Sequence, residues 1–129
     1  MEDLLINSTL TTPRISFSKD GLMEIIGKSI PDAESNFWSL VSEWFRIYMF
    51  SPATKTTFKL QIDYLNTSSS KEILHLLYRL NELKDRGIEA EVIWLFNLND
   101  IDMQEVGKDY EHMVKVPFSF LKINESVLI

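Results

Sequence analysis

Between Phe58 and Leu83 the chain changes the period of its hydrophobic pattern, and hydroxyl residues fill the change. Phe58, Leu60, Ile62 and Tyr64 alternate with Lys59, Gln61 and Asp63, the two-residue repeat of a strand with one buried face. Ile73, Leu76, Leu77, Leu80 and Leu83 then recur at spacings of three and four, which lines one face of a helix. Between the two patterns stands Tyr64-Leu65-Asn66-Thr67-Ser68-Ser69-Ser70-Lys71-Glu72. Ser69 with Glu72 three residues on reads as a capping box, in which each side chain satisfies the other residue's backbone N–H. That reading starts the helix near Ser70 and leaves Thr67 in the turn outside it.

The rest of the chain extends this strand-and-helix series. Arg14–Ser18 and Leu22–Ile26 flank Lys19-Asp20-Gly21, and Asp-Gly between apolar runs marks a hairpin. Asp32 after Pro31 is a good N-cap, with Glu34 in the first turn. Phe37, Leu40, Val41, Trp44, Phe45 and Tyr48 form the apolar face of a helix that ends near Ser51-Pro52, and Trp38 falls away from that stripe. Trp38 therefore has two readings, a core residue or an aromatic of an interface or cofactor site. Gly87 closes the second helix. Glu91–Phe96 is a continuous apolar run of the kind found in a central strand covered on both faces. Asp100 caps a third helix carrying Ile101, Met103, Val106, Tyr110 and Met113, with Gly107 a weak point inside it. Phe118, Phe120 and Leu121 belong to a last strand after Pro117.

No linker, repeat or low-complexity tract interrupts residues 1–129, so a single domain is expected. The class is α/β: a mixed, mostly parallel sheet with an N-terminal hairpin and about three helices. This topology sets the Asn66-Thr67-Ser68 turn at the carboxyl end of a strand, where α/β folds usually present function.

Composition narrows the function by exclusion. A net charge of −6, with scattered basic residues, weighs against nucleic acid. The sequence has no cysteine, which excludes disulfides and thiol chemistry. Met1–Ile6 lacks the basic and long apolar segments of a signal peptide, and no run reaches membrane-spanning length, so no membrane partner is expected and the cytoplasm is the default location. The four glycines stand apart, so there is no phosphate-binding loop. His75 and His112 lack zinc spacing. Asn97–Asp102 fails as a calcium loop because Ile101 takes a ligand position and Asp102 the turn glycine. Ser68, Ser69 and Ser70 have no base nearby in sequence. Neither catalysis nor a cofactor nor a metal is expected.

The hydroxyl cluster has two readings. Asn, Thr and Ser serve turns and caps for purely local reasons. A helix start also presents orphan N–H groups and the positive end of the macrodipole, which tolerate an added phosphate. Lys71 would pair with such a phosphate and Asp63 would disfavour it. Lys71, His75, Tyr78 and Arg79 fall largely off the leucine face and are candidate partner contacts.

The Tyr64-Leu65-Asn66-Thr67-Ser68-Ser69 run resembles the SiaC family of bacterial regulatory phosphoproteins. Pro31 before Asp32 and Glu34, Phe37, Trp44 and the closing Pro117-Phe118 carry the resemblance further, from about Thr12 to about Leu121. It implies a STAS-like fold similar to that of anti-sigma-factor antagonists. It implies that Thr67 is phosphorylated by a cognate serine/threonine kinase and cleared by a metal-dependent serine/threonine phosphatase, with Asp63, Tyr64, Asn66, Ser68, Ser69 and Ser70 around the phosphosite. In the family's best-known branch the unphosphorylated protein binds and activates a diguanylate cyclase, within cyclic-di-GMP signalling. Two other readings stay open: a partner switch of the anti-sigma-antagonist type, and a constitutive interaction domain in which Thr67 only shapes the turn.

Overall fold

A computed structural model of the chain describes residues 1–32 and 35–124. In chain order the elements are β1 (Leu4–Ile6), β2 (Arg14–Phe17), β3 (Leu22–Ser29), α1 (Phe37–Tyr48), β4 (Lys55–Leu65), α2 (Thr67–Asp85), β5 (Glu89–Asn97), α3 (Ile101–Met113) and β6 (Phe118–Ile123). The strands form one six-stranded sheet in the order β1-β2-β3-β4-β5-β6. β1, β2 and β3 pair antiparallel, while β3 through β6 pair parallel. The mixed, mostly parallel sheet, its opening hairpin and three helices are those expected from sequence.

Parallel strands in chain order with same-handed crossovers put every connecting helix on one side, and burial agrees. Ile15, Phe17, Met23, Ile25, Phe58, Leu60, Ile62, Val92, Trp94 and Phe96 share one hydrophobic core with the helical Val41, Phe45, Ile73, Leu77 and Leu80. The intervening residues face the other way. Ser16, Glu24, Lys59, Ile93 and Ser119 form one row across five strands by register. Glu24 lies 3.9 Å from both Arg14 and Lys59 on this face, and Lys55 lies 3.2 Å from Glu91. Among the described residues no helix covers it, so the molecule has two layers.

The expectation that β5 is central and covered on both faces does not hold. It lies between β4 and the edge strand β6, and Glu91 and Ile93 are half-buried on the face without helices. The run reads as continuously apolar because Ile93 and Leu95 sit on that face, Ile93 half-buried and Leu95 buried. β1 lies ahead of the first hairpin recognised in the sequence. It is three residues long, too short for periodicity to reveal, and its segment is tied down by Lys19 N–H donating to Asp3 and Trp44 Nε1–H donating to the Glu2 carbonyl.

α1 also departs from expectation. It begins at Phe37, and Ser35 Oγ accepts the Phe37 N–H at 3.1 Å. The Asp32 carbonyl instead accepts from Ser35 N–H, and Glu34 lies outside the described residues. The buried face is Phe37, Trp38, Val41, Phe45 and Tyr48, while Leu40 is 54% exposed. Trp38 is therefore a core residue and not an interface aromatic. α3 runs unbroken through Gly107, because the Trp94 indole packs against it: a Cβ there would stand 2.5 Å from Trp94 Nε1. Trp94 is fully buried and satisfies its N–H on the Met103 carbonyl at 3.0 Å.

Candidate functional site

The parallel topology brings the N-terminus of α2, after β4, beside the N-terminus of α3, after β5. At the α2 end the cap is Asn66, not Ser69. Asn66 has extended backbone angles (φ −89°, ψ 175°), and its side-chain oxygen accepts from Ser69 N–H at 3.0 Å. This is the reach of an N-cap side chain to the third helical amide, so the helix starts at Thr67, a full turn earlier than the Ser69–Glu72 pattern suggests. The Asn66 amide donates to the Pro31 carbonyl at 3.2 Å, and its backbone N–H donates to the Ser29 carbonyl at 3.0 Å. Bonds within the turn and to the segment that holds Ser29 and Pro31 thus fix it.

The four consecutive hydroxyls receive different surroundings. Ser69 is fully buried; its Oγ lies 2.7 Å from Ser29 Oγ and accepts Trp38 Nε1–H at 3.3 Å. Ser70 is half-buried and 2.9 Å from Tyr110 Oη, which donates in turn to the Ser70 carbonyl at 2.9 Å. Burial pushes the Tyr110 phenol above its ordinary pKa, and the Ser70 hydrogen bond offsets part of that. Ser68 is exposed and donates its hydroxyl to Asn66 Oδ1 at 3.1 Å. Thr67, also exposed, stands outside the cap's own hydrogen bonds.

Thr67 opens onto a cleft of about 550 Å³. One wall is the strand end and first turn of α2, with Asp63, Tyr64, Asn66, Thr67, Ser70 and Lys71; the other is the start of α3, with Asp100, Asp102, Met103 and Val106. Asp100 caps α3 by accepting Met103 N–H at 3.0 Å. Three carboxylates and one ammonium therefore line the cleft, Asp63 and Lys71 on one wall and Asp100 and Asp102 on the other. The α3 wall is absent from the sequence-based list of site residues, although the Asp100 cap and the parallel topology together imply that both helix starts share one edge.

The chain's residues 6–123 match the family model described as SiaC family regulatory phosphoprotein. The chain belongs to the SiaC family. An uncharacterised protein of Pseudomonas aeruginosa (strain UCBPP-PA14) is 25% identical to it over 120 residues, covering 92% of this chain and 95% of that one. Among solved structures, SiaC of Pseudomonas aeruginosa matches at a TM-score of 0.87 and 24% identity, over 95% of this chain and 100% of that one. A structure of the diguanylate cyclase SiaD in complex with its activator SiaC, also from Pseudomonas aeruginosa, matches at a TM-score of 0.84 and 24% identity, over 94% of this chain and 100% of the matched chain. These likenesses establish the SiaC fold for the chain.

The remaining candidates from sequence fall into two groups on this SiaC-type scaffold. Lys71, His75 and Tyr78 follow Thr67 along α2 at offsets that keep one helical face, and all are exposed, Tyr78 by 43%. Arg79 is not in that stripe: it turns toward α1, its guanidinium 3.9 Å from Met49 Sδ, some ~18 Å along the helix from Thr67 at 1.5 Å rise per residue. Among the described residues no group of three His, Cys, Asp or Glu side chains could hold a metal ion. No described helix is long and apolar enough to cross a membrane.

Proposed function

We propose that this SiaC-family chain is a non-catalytic signalling adaptor switched by reversible phosphorylation of Thr67. Its unphosphorylated form binds and activates an effector, a diguanylate cyclase, in the cytoplasm. A serine/threonine kinase adds the phosphate and a metal-dependent serine/threonine phosphatase removes it. The observation that carries this reading is the sorting of the hydroxyls: Thr67 is exposed at the start of α2 and opens into the cleft, while Ser69 is sealed in the core and Ser70 is tied to Tyr110. The SiaD–SiaC complex from Pseudomonas aeruginosa supports the choice of effector class.

The chemistry of the switch follows from the site. A phosphate on Thr67 brings about −1.5 to −2 charges and three acceptor oxygens. The orphan N–H groups of the α2 start and Lys71 one turn on hold it, while Asp63, Asp100 and Asp102 keep it from sinking into the cleft. The added charge therefore stays on the Thr67-Lys71-His75-Tyr78 face. A hundredfold loss of affinity takes about 2.7 kcal/mol, and burying an unmatched dianion in an interface costs several kcal/mol. Direct occlusion suffices without a conformational change.

The test is affinity capture of the cyclase with wild type, Thr67→Ala and Thr67→Glu, each shown to be folded by circular dichroism. Wild type and Thr67→Ala retain it and Thr67→Glu does not. Equal capture by all three, repeated with enzymatically phosphorylated protein, removes Thr67 from the mechanism.

A further inference from the structure

Three of the four arginines in this acidic chain converge on one groove at the opposite end of the helical layer from Thr67. Arg46 comes from the last turn of α1 with Met49 and Phe50 just after it, and Arg79 and Glu82 from the second half of α2 with Arg86 at its C-cap; together they line about 340 Å³. The sequence separates these residues by up to forty positions, and only the packing of α1 on α2 assembles them.

The arginines differ in how much binding capacity they retain. Arg46 is held by Glu43 through two hydrogen bonds of 2.7 and 2.9 Å and sits 5.9 Å from the centre of the Phe50 ring. Arg86 donates one N–H to the Met49 carbonyl at 2.8 Å, one donor of the five a guanidinium carries. Arg79 makes a weak contact with Met49 Sδ, and, beside the Arg46 hydrogen bond, its charge also helps to lower the Glu43 pKa. Among the described residues neither Arg79 nor Arg86 lies within salt-bridge distance of a carboxylate, Glu82 included. Beside these charges stands one uncovered apolar side chain, Phe50 at 78% exposure.

We propose that this groove docks an acidic amphipathic helix of a protein partner. Arg79 and Arg86 are seven residues apart, two turns or ~10.5 Å along α2, so carboxylates at positions i and i+7 of an incoming helix match them. Arg forks bind carboxylates bidentately. The apolar side of the incoming helix covers Phe50, the helix-in-groove mode of recognition. A free anion would leave Phe50 in water, and a long polyanion would meet the net charge of −6 over the rest of the molecule. Because the groove lies ~18 Å or more from Thr67 along α2, docking there is independent of modification at the cleft.

The experiment is a titration of the full chain, followed by amide chemical shifts, with synthetic helical peptides of about eighteen residues, long enough to hold a helix. One carries Glu on one face and Leu on the other; its matched controls replace Glu by Gln, or by Lys, or scramble the apolar face. Inorganic phosphate and a cyclic dinucleotide serve as separate probes. The acidic amphipathic peptide is expected to bind, to shift Arg46, Met49, Phe50, Arg79 and Arg86, and to lose at least about tenfold in affinity, or about 1.4 kcal/mol, in R79E/R86E. The milder R79Q/R86Q gives the same ranking if charge reversal perturbs folding, and Thr67→Glu binds the peptide like wild type. Absence of binding, shifts that map elsewhere, equal affinity in the arginine variants, or binding of phosphate or nucleotide in place of the peptide overturns the proposal.

Discussion

Ser29 and Ser69, forty residues apart, share a 2.7 Å hydrogen bond between hydroxyls that are both fully buried. The bond ties the end of β3 to the first turn of α2, and Trp38 Nε1–H adds a third element to the same oxygen. A hydroxyl in that position is a structural fastener with no access to a kinase. Phosphorylated protein digested and mapped by mass spectrometry should carry phosphate on Thr67 and none on Ser69. Ser69→Ala strands the Ser29 hydroxyl and the Trp38 N–H in the core, so it should cost about 1–3 kcal/mol in urea unfolding. Thr67→Ala, at an exposed position, should change stability by no more than about 0.5 kcal/mol.

The cap makes a second prediction. Asn66 Oδ1 accepts from both Ser69 N–H and the Ser68 hydroxyl. Asn66→Ala should lower stability by about 0.5–2 kcal/mol and Asn66→Asp should retain most of it. Amide hydrogen exchange should show the loss concentrated in the first turn of α2. If Ser69 were the cap, Asn66→Ala would be nearly silent.

Strand and helix periods were legible in the sequence because they differ in kind, and this sufficed for the hairpin, β4, α2, α3 and β6. The start of α2 was legible only to within a turn. Asn66 and Ser69 are both competent caps, and the choice depends on Ser29 and Trp38, which arrive from other elements to bury Ser69. The same dependence hid Trp38. Trp38 falls at the edge of the apolar stripe, and its indole turns inward to donate to Ser69 Oγ, which comes from α2. The α3 wall of the cleft and the arginine groove are products of topology, and no local pattern announces them.

Tyr110 gives a pH dependence with a defined sign. Its phenol is 2.9 Å from Ser70 Oγ and burial raises its pKa above the ordinary value of about 10. Where the folded pKa exceeds the unfolded one, the neutral form is favoured in the fold. The contribution is then complete below pH about 10 and is lost as pH rises from there through the folded pKa. Stability should fall above about pH 10, and Tyr110→Phe should flatten part of that fall while costing about 1 kcal/mol or somewhat more at neutral pH from the lost hydrogen bonds. Thermal unfolding of both proteins across alkaline pH checks this.

Gly107 is required by packing. The indole of Trp94 occupies the space where a side chain would go, and Trp94 is itself fully buried and bonded to the Met103 carbonyl. Helix propensity alone favours Gly107→Ala by about 1 kcal/mol. Overpacking at this contact should reverse the sign, for a net loss of about 1–2 kcal/mol. Tryptophan fluorescence should report the displaced Trp94.

The central claim is that a phosphate on Thr67 controls binding of a diguanylate cyclase. The most direct measurement is calorimetric titration of the purified cyclase with the same preparation before phosphorylation, after stoichiometric phosphorylation at Thr67, and after phosphatase treatment. The account predicts binding, loss of at least about a hundredfold in affinity, equivalent to 2.7 kcal/mol, and recovery. Affinity unchanged by the phosphate would contradict it.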